Sequence, residues 1–276
     1  MRPRIPFPAP EATLARVRVL LISLPNWAIA AIMLAFFCAV SYATRALVLR
    51  FFGDDDREDL AEQAKGLLTG VAATFAFFVG FAINISWGAV TAGQIAVEQQ
   101  AAAIQQTAWE LDNVTDRAQA AALMDKLRAY ATTAAGADSD FLRRGNTTDL
   151  PSAVPLNAFE DAVRAYAYGP QAAGQQGTAL VSAATSIRTS AASVAAVANR
   201  GLPFPMVVLV FVVGVLATIM LGITAASYSR PSLTYIWCLI PAISMTVVAV
   251  LAYPFALRTG ANLAALQAVA AALSAP

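Results

Sequence analysis

The chain has no histidine. The commonest general base, the usual pH switch and the usual zinc ligand are therefore all absent. Charge is scarce as well. Only 13% of the 276 residues are Asp, Glu, Lys or Arg, against about 25% in a typical soluble protein. The net charge of +1 gives no case for a nucleic-acid partner. Cys38 and Cys238 both fall inside apolar runs, so neither belongs to a disulfide framework of an oxidising compartment. No Gly-rich phosphate loop, metal-ligand cluster or nucleophile–base pair stands in the sequence. No catalytic residue, metal site or cofactor is expected, and the chain does not read as an enzyme.

What is present is apolar. Hydrophobic residues make up 58% of the chain and the mean hydropathy is +0.61. Four long apolar stretches stand in two pairs, about 27–49 with 67–90 and 204–226 with 233–255. Each is long enough to cross a bilayer core, which takes about 20 helical residues. The expected fold class is all-α: a four-span helical membrane protein with a cytosolic helical bundle, 91–203, inserted between spans 2 and 3. An N-terminal segment (1–26) and a C-terminal amphipathic tail (256–276) complete the division, with the two transmembrane hairpins at 27–90 and 204–255.

Orientation follows from the cations near the span ends. Arg2, Arg4, Arg16, Arg18, Arg188, Arg200 and Arg258 lie on the side of the insert and both termini. Arg45, Arg50, Arg57, Lys65 and Arg230 lie on the other. The bias places the insert and both termini in the cytoplasm, with the chain multi-pass in the inner (plasma) membrane. Residues 1–26 begin Pro-rich and basic and show no clear signal-peptide cleavage site. Leu14, Val17, Leu20 and Leu21 mark either one face of an interfacial helix or an early start to the first span.

The second span is expected to continue beyond the membrane. From Leu67 to about Asp112 there is no proline, and Val97, Ala101, Ile104, Ala108 and Leu111 form a heptad-like stripe. Thr115 or Asp116 can cap a next helix whose face carries Leu123, Leu127 and Tyr130. Gly136–Pro155 reads as a loop that includes Arg143 and Arg144. Helices are expected at about Leu156–Tyr168 and Thr178–Asn199, separated by Gly169-Pro170 and a polar turn. Ser229-Arg230-Pro231-Ser232 reads as a tight turn into the fourth span, which Pro241 should kink and Pro254 end. Leu257, Leu263, Leu266 and Val269 mark an amphipathic tail. The acids of Asp54–Glu62 read as a solvated loop between the first two spans.

Gly70, Ala73, Phe77, Phe81, Asn84 and Gly88 follow one another at spacings of three or four, so they share one face of the second span. If several copies faced a common axis, Phe77 and Phe81 would narrow it. A ring of phenyl groups is a hydrophobic constriction able to gate ions by dewetting. Asn84 would offer amide groups beyond it on the cytosolic side. The bland reading is that small residues and an aromatic pair serve helix–helix packing.

The segment Phe77-Phe78-Val79-Gly80-Phe81 contains F-x-x-G-F on the second of four spans. It resembles the second-span segment of bestrophins, pentameric anion channels with four membrane helices and a helical cytosolic insert. The wider pattern is similar to the bacterial bestrophin-like family: Glu98 near the membrane end of the long helix, Leu127-Arg128-Ala129-Tyr130, Arg188 on a later helix, and Leu202-Pro203 entering the third span. This resemblance implies a homo-oligomer, possibly a pentamer, in the lipid bilayer, with a neck at Phe77 and Phe81. The third neck position falls on Ala73, where the channels carry a bulkier residue. Gly70, Gly80, Gly88 and Glu98 stand as supporting positions. No calcium clasp is implied, because residues 256–276 contain no acid. The functional expectation is an oligomeric ion channel. The alternative is a non-conducting membrane adaptor or accessory subunit whose insert docks a partner protein.

Overall fold

The structure, a computed structural model, describes residues 24–169, 174–228, 232–255 and 260–275. The expected interfacial helix over Leu14–Leu21, Pro170 with the first residues of the polar turn, the turn at Ser229-Arg230-Pro231, and Leu257 with Arg258 lie outside the described residues.

All the regular secondary structure among the described residues is helical. In order, the helices are α1 (Asn26–Phe51), α2 (Asp54–Asp112), α3 (Arg117–Ala135), α4 (Asp138–Arg144), α5 (Ala153–Ala167), α6 (Gly174–Ala198), α7 (Phe204–Ala226), α8 (Ser232–Trp237), α9 (Leu239–Leu251) and α10 (Ala264–Ser274). Among the described residues, five helices are long and apolar enough to cross a membrane: α1, α2, α6, α7 and the α8–α9 stretch from Thr234 to Leu251. Four spans are expected from the sequence. The addition is α6, rich in Ala, Ser and Thr, which meets the length and hydropathy of a span.

The chain divides into two compact units. One, the apolar unit, contains residues 24–88 and Gly201–Ala252. Its core gathers Phe37 of α1, Phe75, Val79 and Ala82 of α2, Val210 of α7, and Met245 and Val248 of α9. α1 and α7 approach one another closely. A Cβ at Gly222 would lie 2.6 Å from the Ser41 carbonyl oxygen and 2.7 Å from Thr44 Cβ, so only glycine lets the two backbones meet there. Phe36 adds a stacked contact with Phe211 at 5.4 Å. Arg45 of α1 donates through Nε to the Ala225 carbonyl at 3.2 Å, satisfying an orphan acceptor at the α7 C-terminus. The fourth apolar stretch is interrupted rather than continuous. α8 ends at Trp237 and α9 begins at Leu239, because Pro241 supplies no N–H for the Trp237 carbonyl and its ring crowds that carbonyl.

Two expected loops are helical. α2 starts at Asp54, not Leu67, and runs for 59 residues. Asp54, Asp55 and Asp56 sit in its first turn, where carboxylates face the positive end of the helix dipole. These acids are exposed, and the segment they occupy is helix rather than loop. Arg57 closes the turn from α1. It donates to Asp54 Oδ1 at 2.5 Å and to the Leu49 carbonyl at 2.6 Å. The second misread loop contains α4. Asp138 and Asp140 open this helix and Arg143 and Arg144 close it, which suits the dipole at both ends. Gly145 ends it at φ 75°. The Gly145 and Asn146 N–H groups return to the Leu142 and Phe141 carbonyls at 3.2 and 3.0 Å, a left-handed helix stop that favours glycine.

The other unit contains Ala89–Arg200 and the chain from Tyr253 onward. Val97, Ile104 and Leu111 of α2 are completely buried, Ala101 is buried, and Ala108 is partly covered, as the heptad spacing requires. Asp116 caps α3, accepting from the Ala118 and Gln119 N–H groups at 3.0 and 3.1 Å. Leu123, Leu127 and Tyr130 of α3 meet Phe159 and Val163 of α5, and Leu180 and Ile187 of α6, in one core. The tail packs as well. Leu263, Leu266 and Val269 are buried in that core, and Arg128 Nε donates to the Leu273 carbonyl at 2.5 Å.

Candidate pore-lining face

The apolar unit sets the rotation of α2. Phe75, Val79, Ala82 and Ser86 are buried, at the spacing of one helix face. The opposite face carries the candidate stripe. Phe77 is 68% exposed and Phe81 52%. Gly70, Ala73, Asn84 and Gly88 are exposed too. A Cβ at Gly70, Gly80 or Gly88 would meet nothing within 4 Å. All six stripe residues are therefore brought to one uncovered surface, together with Gly80. Among the described residues no helix lies over the stripe, so packing within them does not account for it.

The surface is chemically simple. Phe77 leans edge-on against Phe78, with ring centroids 5.5 Å apart and planes at 71°. Thr74 satisfies its own hydroxyl by donating to the Gly70 carbonyl at 2.8 Å. The stripe carries no charge from Gly70 to Gly88, and Asn84 is its polar residue. Among the described residues, no group of three or more acid or cysteine side chains could hold a metal ion. Such a face can order water or exclude it, according to how closely copies approach. Glu98 stands apart from these residues. It is exposed and accepts a hydrogen bond from Gln94 Nε2 of its own helix at 3.2 Å.

The other unit holds a polar cluster, of which the sequence singles out Tyr130 and Arg188. Tyr130 is fully buried and its hydroxyl accepts from Gln100 Nε2 at 2.6 Å. Burial pushes the Tyr130 phenol well above its ordinary range, and the Gln100 bond opposes this only in part. Arg188 of α6 grips buried Glu160 of α5 through both carboxylate oxygens and also donates to Asn157 Oδ1 at 2.6 Å. The bond to Glu160 raises the Arg188 pKa. Asp138 is 4% exposed and accepts the Ser152 N–H at 3.0 Å. Burial raises its pKa above the usual carboxylate value. These bonds join α2 to α3 and α5 to α6, and they set the shape of the bundle. Gln100 was legible as a polar residue among the heptad positions, and Glu160 through its spacing with Arg164.

Comparison with known proteins agrees with this architecture. The family model of the Bestrophin-like domain matches residues 35–257. A crystal structure of a bacterial Bestrophin homolog from Klebsiella pneumoniae superposes with a TM-score of 0.66 at 12% identity, covering 88% of this chain and 96% of that one. A crystal structure described as a membrane protein gives 0.67 at 11% identity, covering 88% and 97%. At these identities the likeness speaks for the fold alone. No curated protein matches the chain. With its all-helical fold, its long apolar helices and a family match over most of its length, the chain belongs to the Bestrophin-like family of membrane proteins.

Proposed function

We propose that the protein is an oligomeric ion channel of the inner membrane in which the α2 stripe lines a shared axis. The observation that carries this reading is the uncovered stripe. An aromatic pair, several glycines and one amide lie on a continuous exposed face, while the opposite face of the same helix is buried. One chain cannot enclose an axis with a single helix face, so the reading needs several copies. A ring would bring Phe77 and Phe81 into successive phenyl girdles, with Ala73 and Gly70 leaving a wider entrance and Asn84 a polar exit. Dewetting between the girdles would set the resting conductance. Halide passage agrees with the anion channels that the family resembles.

In this reading α1, the first part of α2, α7 and the α8–α9 stretch are the four spans. α6 is a bundle helix, because its apolar side chains Leu180, Ile187 and Val194 are buried in the core that also contains Tyr130 and Phe159. The insert and both chain ends lie in the cytoplasm, as the cation distribution favours. The stripe performs no bond chemistry, and the protein acts as a conduit rather than an enzyme.

Halide flux from liposomes tests the proposal. Wild-type protein should pass halide, and Phe77→Ala with Phe81→Ala should raise the flux by opening the girdle. No flux from either preparation would overturn it and favour the adaptor reading.

A further inference from the structure

A second feature of the apolar unit shares Gly80 with the stripe surface but does not depend on conduction. A groove of about 750 Å³ runs between α2, α7 and the α8–α9 stretch. That size lies within the usual range for ligand sites, about 300–1,000 Å³, which are mostly apolar with a few placed polar groups. The lining of α2 begins at Leu68 and ends at Gly80, a helical length of ~18 Å at 1.5 Å per residue. Half of a bilayer core is ~15 Å. The groove therefore has the length of one leaflet.

Its polarity is graded along that length. At one end stand Thr224, Tyr228 and Thr234. Lys65, one turn before Leu68, places its Nζ 5.3 Å from the centre of the Tyr228 ring. Lys65 is exposed, and among the described residues it faces that ring and no carboxylate. Toward the other end the lining becomes Val79, Ala217, Ile240 and Pro241, with Ser244 as the polar exception. Trp237 and Tyr228 are half-exposed aromatic residues on its rim, as found where membrane helices meet headgroups. A cation beside hydroxyl groups fits a phosphate, and the apolar remainder fits a hydrocarbon chain.

We propose that this groove seats one acyl chain of a phospholipid, with Lys65, Tyr228 and Thr234 at its mouth holding the headgroup phosphate, while the Thr224 hydroxyl donates to the Met220 carbonyl at 2.9 Å. The lipid would fill the space beside the Phe75, Val79 and Ala82 core, which itself fixes the rotation of the long helix. The occupant is a lipid of the leaflet in which Lys65 lies, whichever way the chain is oriented.

Native mass spectrometry of the full chain tests this, after delipidation and titration with phosphatidylglycerol in detergent. Wild-type protein should retain about one phosphatidylglycerol per chain. Ala72→Trp, which fills the groove, should retain at least tenfold less, and Lys65→Ala several-fold less. Ile32→Trp, on the exposed face of α1, should bind as wild type does, which separates groove filling from general damage. Equal retention by wild type, Ala72→Trp and Ile32→Trp overturns the proposal, as does no retention by wild type. A photo-crosslinker at position 72 should give a lipid adduct. A covalent dimer in its place would assign the groove to a second copy of the chain and overturn the lipid.

Discussion

Phe75 and Phe77 stand two positions apart on α2 and face opposite ways. Phe75 is 5% exposed and lies against α7 at Gly214, where a Cβ would come within 3.0 Å of its ring. Phe77 is 68% exposed. Two neighbouring phenyl groups thus have separable roles. Phe75→Ala should destabilise the protein by about 2 kcal/mol through lost packing, because lipid tails are as apolar as the core it leaves. Phe77→Ala should leave the melting temperature within error and change halide flux. Melting curves and flux assays on both variants check the separation, and equal effects on stability would contradict it.

Gly222 should tolerate no side chain. The Ser41 carbonyl oxygen and Thr44 Cβ occupy the space a methyl group needs, and backbone cannot swing aside as a side-chain tip can. Gly222→Ala should cost about 2 kcal/mol by overpacking. Gly66→Ala, in open space, should be neutral or slightly stabilising through helix propensity. Thermal unfolding in detergent compares the two.

The Arg188–Glu160 clip makes a third prediction. Arg188→Ala leaves the Glu160 carboxylate buried, with Arg164 3.6 Å away as its remaining salt-bridge partner. The cost should be about 2 kcal/mol, below that of a fully buried pair because Arg188 is half-exposed. Replacing both residues with leucine should cost less than Arg188→Ala alone. A double-mutant cycle of Arg188→Leu, Glu160→Leu and the two together measures this coupling, and strict additivity would show that the clip contributes nothing.

Asp138 should make stability depend on pH. Its folded pKa is raised, chiefly by burial, so the folded chain holds this proton to higher pH than the unfolded chain does. Stability from this group is greatest below the unfolded value of about 3.9 and is lost as pH rises through the folded pKa. Asp138→Asn keeps an acceptor for the Ser152 N–H and removes the charge. Its melting temperature should exceed that of wild type at pH 7, with the gap closing toward pH 4. A gap that does not change with pH would contradict the assignment.

Much of the helical order is legible in the sequence. The heptad stripe of Val97, Ile104 and Leu111, the Asp116 cap and the Leu123–Leu127–Tyr130 face are local patterns, and all are present. Asp54–Glu62 and Asp138–Arg144 were misread because acids and a flanking glycine resemble loop composition, whereas here they satisfy helix ends. Gln100 meets Tyr130 thirty positions away, and Glu160 meets Arg188 twenty-eight positions away. Such pairs appear only when helices are docked. The candidate stripe was visible as a periodicity. Whether the chain covers that face depends on the rotation of α2, which the burial of Phe75, Val79 and Ala82 fixes.

The central claim is that several copies bring the Phe77/Phe81 face around one axis. The most direct measurement is the mass of the purified protein in detergent by light scattering, corrected for bound detergent. The account predicts a closed ring, a pentamer by the family resemblance, that persists across detergents. A monomer or dimer stable in every detergent would leave no axis for the stripe to line and would contradict it.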